Sequence, residues 1–189
     1  MKKVFTLVFT LATVFFLVAC SKGKNSKQVS SEQEVTTASE TTTITETKET
    51  YKKSQEINGG KQDIYIDLTY TGDTYQSLVL RYETIYEGEA LANFQAQGRE
   101  AVEASFNEHL EALIPGISAI KDLKGVDVKS TVDENFAWKL TVSLDPNVVN
   151  FEDLATKGDT FAYLAKIEKM PPSQLIAGFS IIGFEKVPQ

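Results

Sequence analysis

Few residues in this 189-residue chain are of types that do chemistry, and they are scattered. His109 is the sole histidine, four residues after Ser105 and three after Phe106. On a helix the hydroxyl and the imidazole would share a flank, as in a hydrolytic Ser–His pair. Such a pair needs a third group to orient the ring, and no residue is marked for that role, so a histidine bordering an apolar stripe accounts for the pattern. No catalytic residue is assigned. Asp63, Asp67 and Asp73 are the nearest thing to a cation-binding set. Their spacing misses the alternate-position ligands of a calcium loop, and Asp73 follows Gly72, where aspartate is favoured by turn geometry. No metal and no dissociable cofactor is expected. Asn58-Gly59-Gly60 lacks the lysine and helix that a phosphate-cradling loop requires. What remains is a candidate binding surface. Tyr65, Asp67, Arg81, Lys129 and Lys139, with Glu83 and the apolar Tyr75, Val79 and Ile85, would share the wet face of a sheet. Tyrosine and arginine are the types enriched where proteins recognise partners.

One residue is expected to react, and it is the only cysteine. Cys20 follows a two-lysine start (Met1-Lys2-Lys3), an apolar run from Val4 to Phe16, and Leu17-Val18-Ala19. A charged start, an apolar middle and small residues before a cleavage point compose a secretory signal peptide. The run is short for a membrane span, which takes roughly 20 residues. Leu17-Val18-Ala19-Cys20 resembles the lipobox of bacterial lipoproteins. The resemblance implies a diacylglyceryl group on the Cys20 thiol, cleavage before it, and residues 1–19 as signal peptide. The mature protein would then sit on the extracytoplasmic face of a cell membrane, held by its lipid anchor. Two acyl chains hold a protein durably where one binds only marginally.

Charge excludes one class of partner. The chain carries −7, and loss of Lys2 and Lys3 with the signal takes it to −9. Nucleic-acid binding relies on Lys and Arg neutralising phosphate, so no nucleic-acid partner is expected. With Cys20 acylated, no disulfide can form. Residues 20–60 are rich in Ser and Thr, with only Val29, Val35, Ile44, Tyr51 and Ile57 as sizeable apolar side chains, too few to offset chain entropy. They are expected to form a disordered tether spanning about 35 Å, with Asn58-Gly59-Gly60 marking its end. Residues 61–189 are then one globular domain.

Two hairpins and two helices are expected there. Ile64, Ile66, Leu68 and Tyr70 alternate with polar residues, as do Leu78, Leu80, Tyr82 and Tyr86 beyond the Thr71-Gly72-Asp73-Thr74 turn. From Ala90 to Leu113 the apolar period becomes helical, and Pro115-Gly116 stops it. Val126, Val128 and Val132, an Asp133-Glu134-Asn135 turn, and Phe136, Trp138, Leu140, Val142 and Leu144 make the second hairpin. Phe151-Glu152-Asp153-Leu154 fits a short helix, Phe161 to Ile167 fits either type, and Pro172 to Ile182 fits a helix ended by Gly183. The expected fold is α+β, a four-stranded antiparallel sheet from two hairpins with helices packed on one face (ββαββα).

Leu68-Thr69-Tyr70-Thr71-Gly72-Asp73, Lys124-Gly125-Val126-Asp127-Val128, Trp138 to Asp145, Phe151-Glu152-Asp153-Leu154 and Gly183-Phe184, in that order, resemble the YehR-like bacterial lipoproteins. The resemblance implies this fold and an envelope location. It carries no catalytic set. The functional expectation is a non-enzymatic lipoprotein that binds a cell-wall component, an amphiphile or a host macromolecule. The alternatives are a carboxylate-dependent enzyme acting on the cell wall, which needs two acids at catalytic separation, and a structural accessory of a membrane complex.

Overall fold

The structure, a computed structural model, describes residues 45–188. The expected signal peptide, Cys20 and the first part of the expected tether lie outside the described residues. Three strands come first: β1 (Glu46–Ile57), β2 (Gly60–Thr71) and β3 (Thr74–Tyr86). Four helical segments follow, α1 (Gly88–Gln97), α2 (Arg99–Glu108), α3 (Leu110–Leu113) and α4 (Ile117–Ile120), then β4 (Val126–Val132) and β5 (Trp138–Leu144). α5 (Phe151–Ala155), α6 (Asp159–Ile167), α7 (Pro172–Ile181) and β6 (Glu185–Lys186) complete the chain. The architecture is α+β, but the sheet has six antiparallel strands in the order β4-β5-β3-β2-β1-β6. The four-stranded ββαββα expectation is thereby corrected.

The added strands come from places where composition misleads. β1 falls inside the stretch expected to be tether. It pairs with β2 along its whole length, from Glu46↔Thr71 to Ile57↔Gly60. Asn58-Gly59, with Gly59 left-handed at φ 84°, is the two-residue turn of that hairpin. Gly59 alone supplies the positive φ at this turn, a conformation glycine adopts without the steric cost of a Cβ, while Asn58 keeps a negative φ. Apolar burial contributes little to β1, since only Tyr51 is buried, its ring centroid 5.0 Å from that of Phe179. Its strength lies in the ladder and in cross-strand polar pairs. β6 is two residues long and pairs with Tyr51 and Lys52.

The hairpins expected from alternation are present, with Ile64, Leu68, Leu78, Leu140, Val142 and Leu144 buried on one face. Phe136 is in the turn rather than the strand, left-handed at φ 61°. The helices lie on that same face, where Val102, Ile117, Ile120, Leu154, Phe161 and Phe179 join the sheet in one core. The single long helix expected from Ala90 to Leu113 is broken at Gly98, whose φ of 85° and ψ of 147° end α1 and begin α2. The break lets Phe94 and Phe106, 5.8 Å apart, both reach Tyr86 at 4.8 and 5.9 Å. α7 starts with Pro172 and is followed by left-handed Gly183, as the sequence suggests.

Candidate functional site

Among the described residues the other face of the sheet carries no helix, and cross-strand register arranges it in rows. One row runs Lys52, Tyr65, Arg81, Thr141, Lys129 from β1 to β4. Beside it run Thr50, Asp67, Val79, Ser143, Asp127 and Ser54, Asp63, Glu83, Lys139, Thr131. Tyr65, Asp67, Arg81, Lys129 and Lys139 therefore share one open face, as their alternation implies. Tyr75 does not. A register shift at Thr69/Tyr70 turns it inward, where it is 6% exposed and its hydroxyl has no hydrogen-bond partner. Burial, with Tyr70 and Asp73 nearby, pushes that phenol up to about 12.

Arg81 grips Asp67 with two hydrogen bonds, Nε at 2.6 Å and Nη2 at 2.9 Å. The same guanidinium lies 4.5 Å from the Tyr65 ring centroid, and Lys52 Nζ lies 5.3 Å from it. Lys52 and Arg81 are the ring's cross-strand neighbours, so cations flank it on both sides. Lys52 also donates to Asp63 at 2.8 Å, Ser54 donates to the same carboxylate at 2.6 Å, and Lys61 lies 3.5 Å away. Thr50 donates to Asp67 at 2.7 Å. Lys139 bridges Glu83 at 3.2 Å and Asp133 at 3.0 Å. Lys52, Ser54 and Thr50 belong to β1 and were not among the expected site residues. The Asn58-Gly59 turn ahead of a clear strand was the signal that could have placed them.

Electrostatics here favour ionised carboxylates. Burial pushes Asp63 up, but hydrogen bonds from Lys52 and Ser54 and the charges of Lys52 and Lys61 outweigh it, leaving a net shift below the ordinary range. Asp67 behaves alike, with burial opposed by Arg81 and Thr50. The group whose folded pKa is depressed stabilises the fold above its unfolded pKa, and that stabilisation is lost as pH falls through the folded value. Asp63 and Asp67 together should make the protein lose stability below about pH 4, the unfolded range of aspartate. Asp63→Asn should flatten the loss, as read by urea unfolding midpoints at about pH 5 and pH 3; an unchanged difference in midpoint would contradict the assignment.

His109 does not meet the Ser105 hydroxyl. It ends α2, and its Nδ1 lies 2.8 Å from the Ser105 main-chain oxygen at an exposed site. Asp63 and Asp67 serve separate cations and Asp73 stands in the β2–β3 turn, and no group of three potential metal ligands occurs among the described residues. Two open depressions lie away from the centre of the face. One of about 350 Å³ follows α2 past Arg99, Glu103 and Asn107, and one of about 400 Å³ lies by Ser77, Asp127, Ser143 and Asp145. Neither is lined by Tyr65, Asp67, Arg81 or Lys139. Leu68, Leu140, Leu154 and Phe161 fill the space between helices and sheet, each at most 1% exposed. Among the described residues no helix is long and apolar enough to cross a membrane.

A six-stranded antiparallel sheet, helix-covered on one face and open on the other, is thus the class of fold that carries these rows. No family model matches the chain, and no curated protein sequence matches it. Among solved structures, the NMR structure of a protein from Streptococcus pneumoniae TIGR4 is similar at 17% identity and a TM-score of 0.54, covering 89% of this chain and 99% of that one. The NMR structure of E. coli YehR is also a neighbour, at 21% identity and a TM-score of 0.48, covering 75% of this chain and 92% of that one. At such identities the first likeness shows a shared fold alone, and the second is too weak to support an argument.

Proposed function

We propose that the chain is a lipid-anchored extracytoplasmic protein of the YehR-like lipoprotein kind, attached through Cys20, whose domain is a non-enzymatic module that binds a cell-wall polymer. The observation that carries the binding reading is the uncovered sheet face with Arg81, Tyr65 and Asp67 at its centre. Small-molecule sites are concave and mostly apolar. This face is broad and ionic, so it suits an extended polymer better than a small ligand, and the packed interior speaks against an amphiphile held inside the fold. Catalysis by carboxylates needs an acid held above its ordinary range. At the centre of this face Asp63 and Asp67 are both held below the ordinary range by their cation and hydroxyl partners, so neither is poised as a proton donor.

Two measurements test the reading. Metabolic labelling with a fatty acid should tag the wild-type chain and leave Cys20→Ala unlabelled; persistent label on that variant ends the anchor proposal. Wild-type protein should co-sediment with purified cell-wall sacculi, and Tyr65→Ala/Arg81→Ala should reduce the bound fraction at least tenfold while still melting cooperatively. Absent sedimentation, or sedimentation that ignores the double substitution, overturns the surface assignment. Release of soluble wall fragments by the wild type would favour the enzyme instead.

A further inference from the structure

The two long outer strands of the sheet are treated differently. β1 is clasped: β6 pairs with Tyr51 and Lys52, Val187 donates to the Thr50 carbonyl at 2.8 Å, and Lys53 reaches the Ile182 carbonyl at 2.8 Å. β4 ends the sheet on the other side, with no strand beyond it among the described residues. Which of its main-chain groups face outward follows from two hydrogen bonds. Asp133 donates to the Ala137 carbonyl and Asp145 to the Gly125 carbonyl, so the odd-numbered positions of β4 bond to β5. Antiparallel ladders alternate, and the even-numbered positions therefore turn to the edge, Val128 and Ser130 with N–H and carbonyl and Val126 with its carbonyl alone, since its N–H donates to the Leu123 carbonyl at 3.1 Å. Val132 belongs to the same set, and its N–H is taken by the Glu103 carboxylate of α2 at 2.9 Å.

We infer that β4 pairs antiparallel with β4 of a second copy of this chain, about a two-fold axis at Val128, extending the sheet across both molecules. Charge selects this occupant and register. Asp127 and Lys129 are exposed on the open face, on either side of Val128. Antiparallel pairing centred on Val128 sets each Asp127 opposite the other copy's Lys129, and directly opposite charges on one face attract. The same register sets Val128 against Val128 as a hydrogen-bonded pair and Ser130 against Val126, giving about four main-chain hydrogen bonds. The position blocked by Glu103 lies beyond this window. Isolated charges on an edge strand commonly deter pairing, but two opposite charges flanking the axis complement themselves. The inference is independent of the wall-binding proposal, because its readout involves no wall polymer.

Full chains bearing two different tags, co-expressed and solubilised in mild detergent, test it by capture of one tag and detection of the other. Wild type should capture wild type. Asp127→Lys with itself and Lys129→Asp with itself place like charges opposite each other, and capture should fall at least tenfold. Asp127→Lys combined with Lys129→Asp should recover it, which also shows that both variants are folded. Sharing a micelle would not discriminate among these charge combinations. No capture in the wild type, capture indifferent to the substitutions, or a mixed pair no better than either variant alone each overturns the inference.

Discussion

A chain shortened to begin at Lys61 is expected to lose its cooperative fold, whereas one beginning at Thr45 keeps it. The shorter chain lacks β1, and with it Tyr51, which is 4% exposed and packs on Phe179. Deleting a buried aromatic side chain costs about 3–5 kcal/mol. The loss would also strip Asp63, 5% exposed, of Lys52 and Ser54. Hydrogen bonds to charged groups contribute about 1.5–3 kcal/mol each when formed. β6 would have no strand to pair with, and the ionic tie between Lys186 and Glu49 would disappear. Domains of this size are stable by only about 5–15 kcal/mol, so these losses together approach or exceed the total. Thermal unfolding followed by circular dichroism checks it. A cooperative transition in the 61–189 fragment within a few degrees of that of 45–189 would show that β1 is an accessory rather than part of the fold.

The same strand shows what the sequence made legible and what it hid. Alternating apolar residues disclosed β2, β3, β4 and β5, because each buries one face and a period of two follows from that burial. β1 buries almost nothing. Its inward positions include Thr47, Glu49, Lys53 and Gln55, and its outward positions hold Lys52 and Ser54 against Asp63 on β2. A strand stabilised by ladder bonds and polar cross-strand pairs leaves a composition close to that of a linker. Asn58-Gly59 was a hairpin signal, and its meaning was obscured by the Ser/Thr-rich run before it.

The open face was half legible. Tyr65, Asp67, Arg81, Lys129 and Lys139 follow from strand parity alone, once the two hairpins are recognised. Tyr75 was misplaced because a register shift reverses parity beyond Thr69, and no residue type announces such a shift. The linkage of Arg81 to both Asp67 and Tyr65, and of Lys52 to both Asp63 and Tyr65, depends on which strands are neighbours. Neighbour order places β2 between β1 and β3, and that order requires knowing that β1 exists.

Trp138→Ala should cost about 3–5 kcal/mol, the range for removing a large buried aromatic side chain. Trp138 is 4% exposed, stacks on Phe106 at 5.2 Å with 13° between planes, and donates its indole N–H to Ser130 Oγ at 3.0 Å. It is the terminal ring of a chain running through Phe106 to Phe94 and Tyr86. α1 has no buried residue of its own, so these rings are its main attachment to the rest of the domain. Losing Trp138 should therefore loosen α1 and α2 before the sheet. Amide hydrogen exchange resolves the order: protection should fall first across residues 88–108, while β2 and β3 exchange only by global unfolding. Trp138→Phe keeps the stack but not the hydrogen bond, and should cost less than half as much. Equal loss of protection across the helices and the central strands in Trp138→Ala would mean that α1 and α2 unfold as one unit with the sheet, and that the ring chain is not what fastens them.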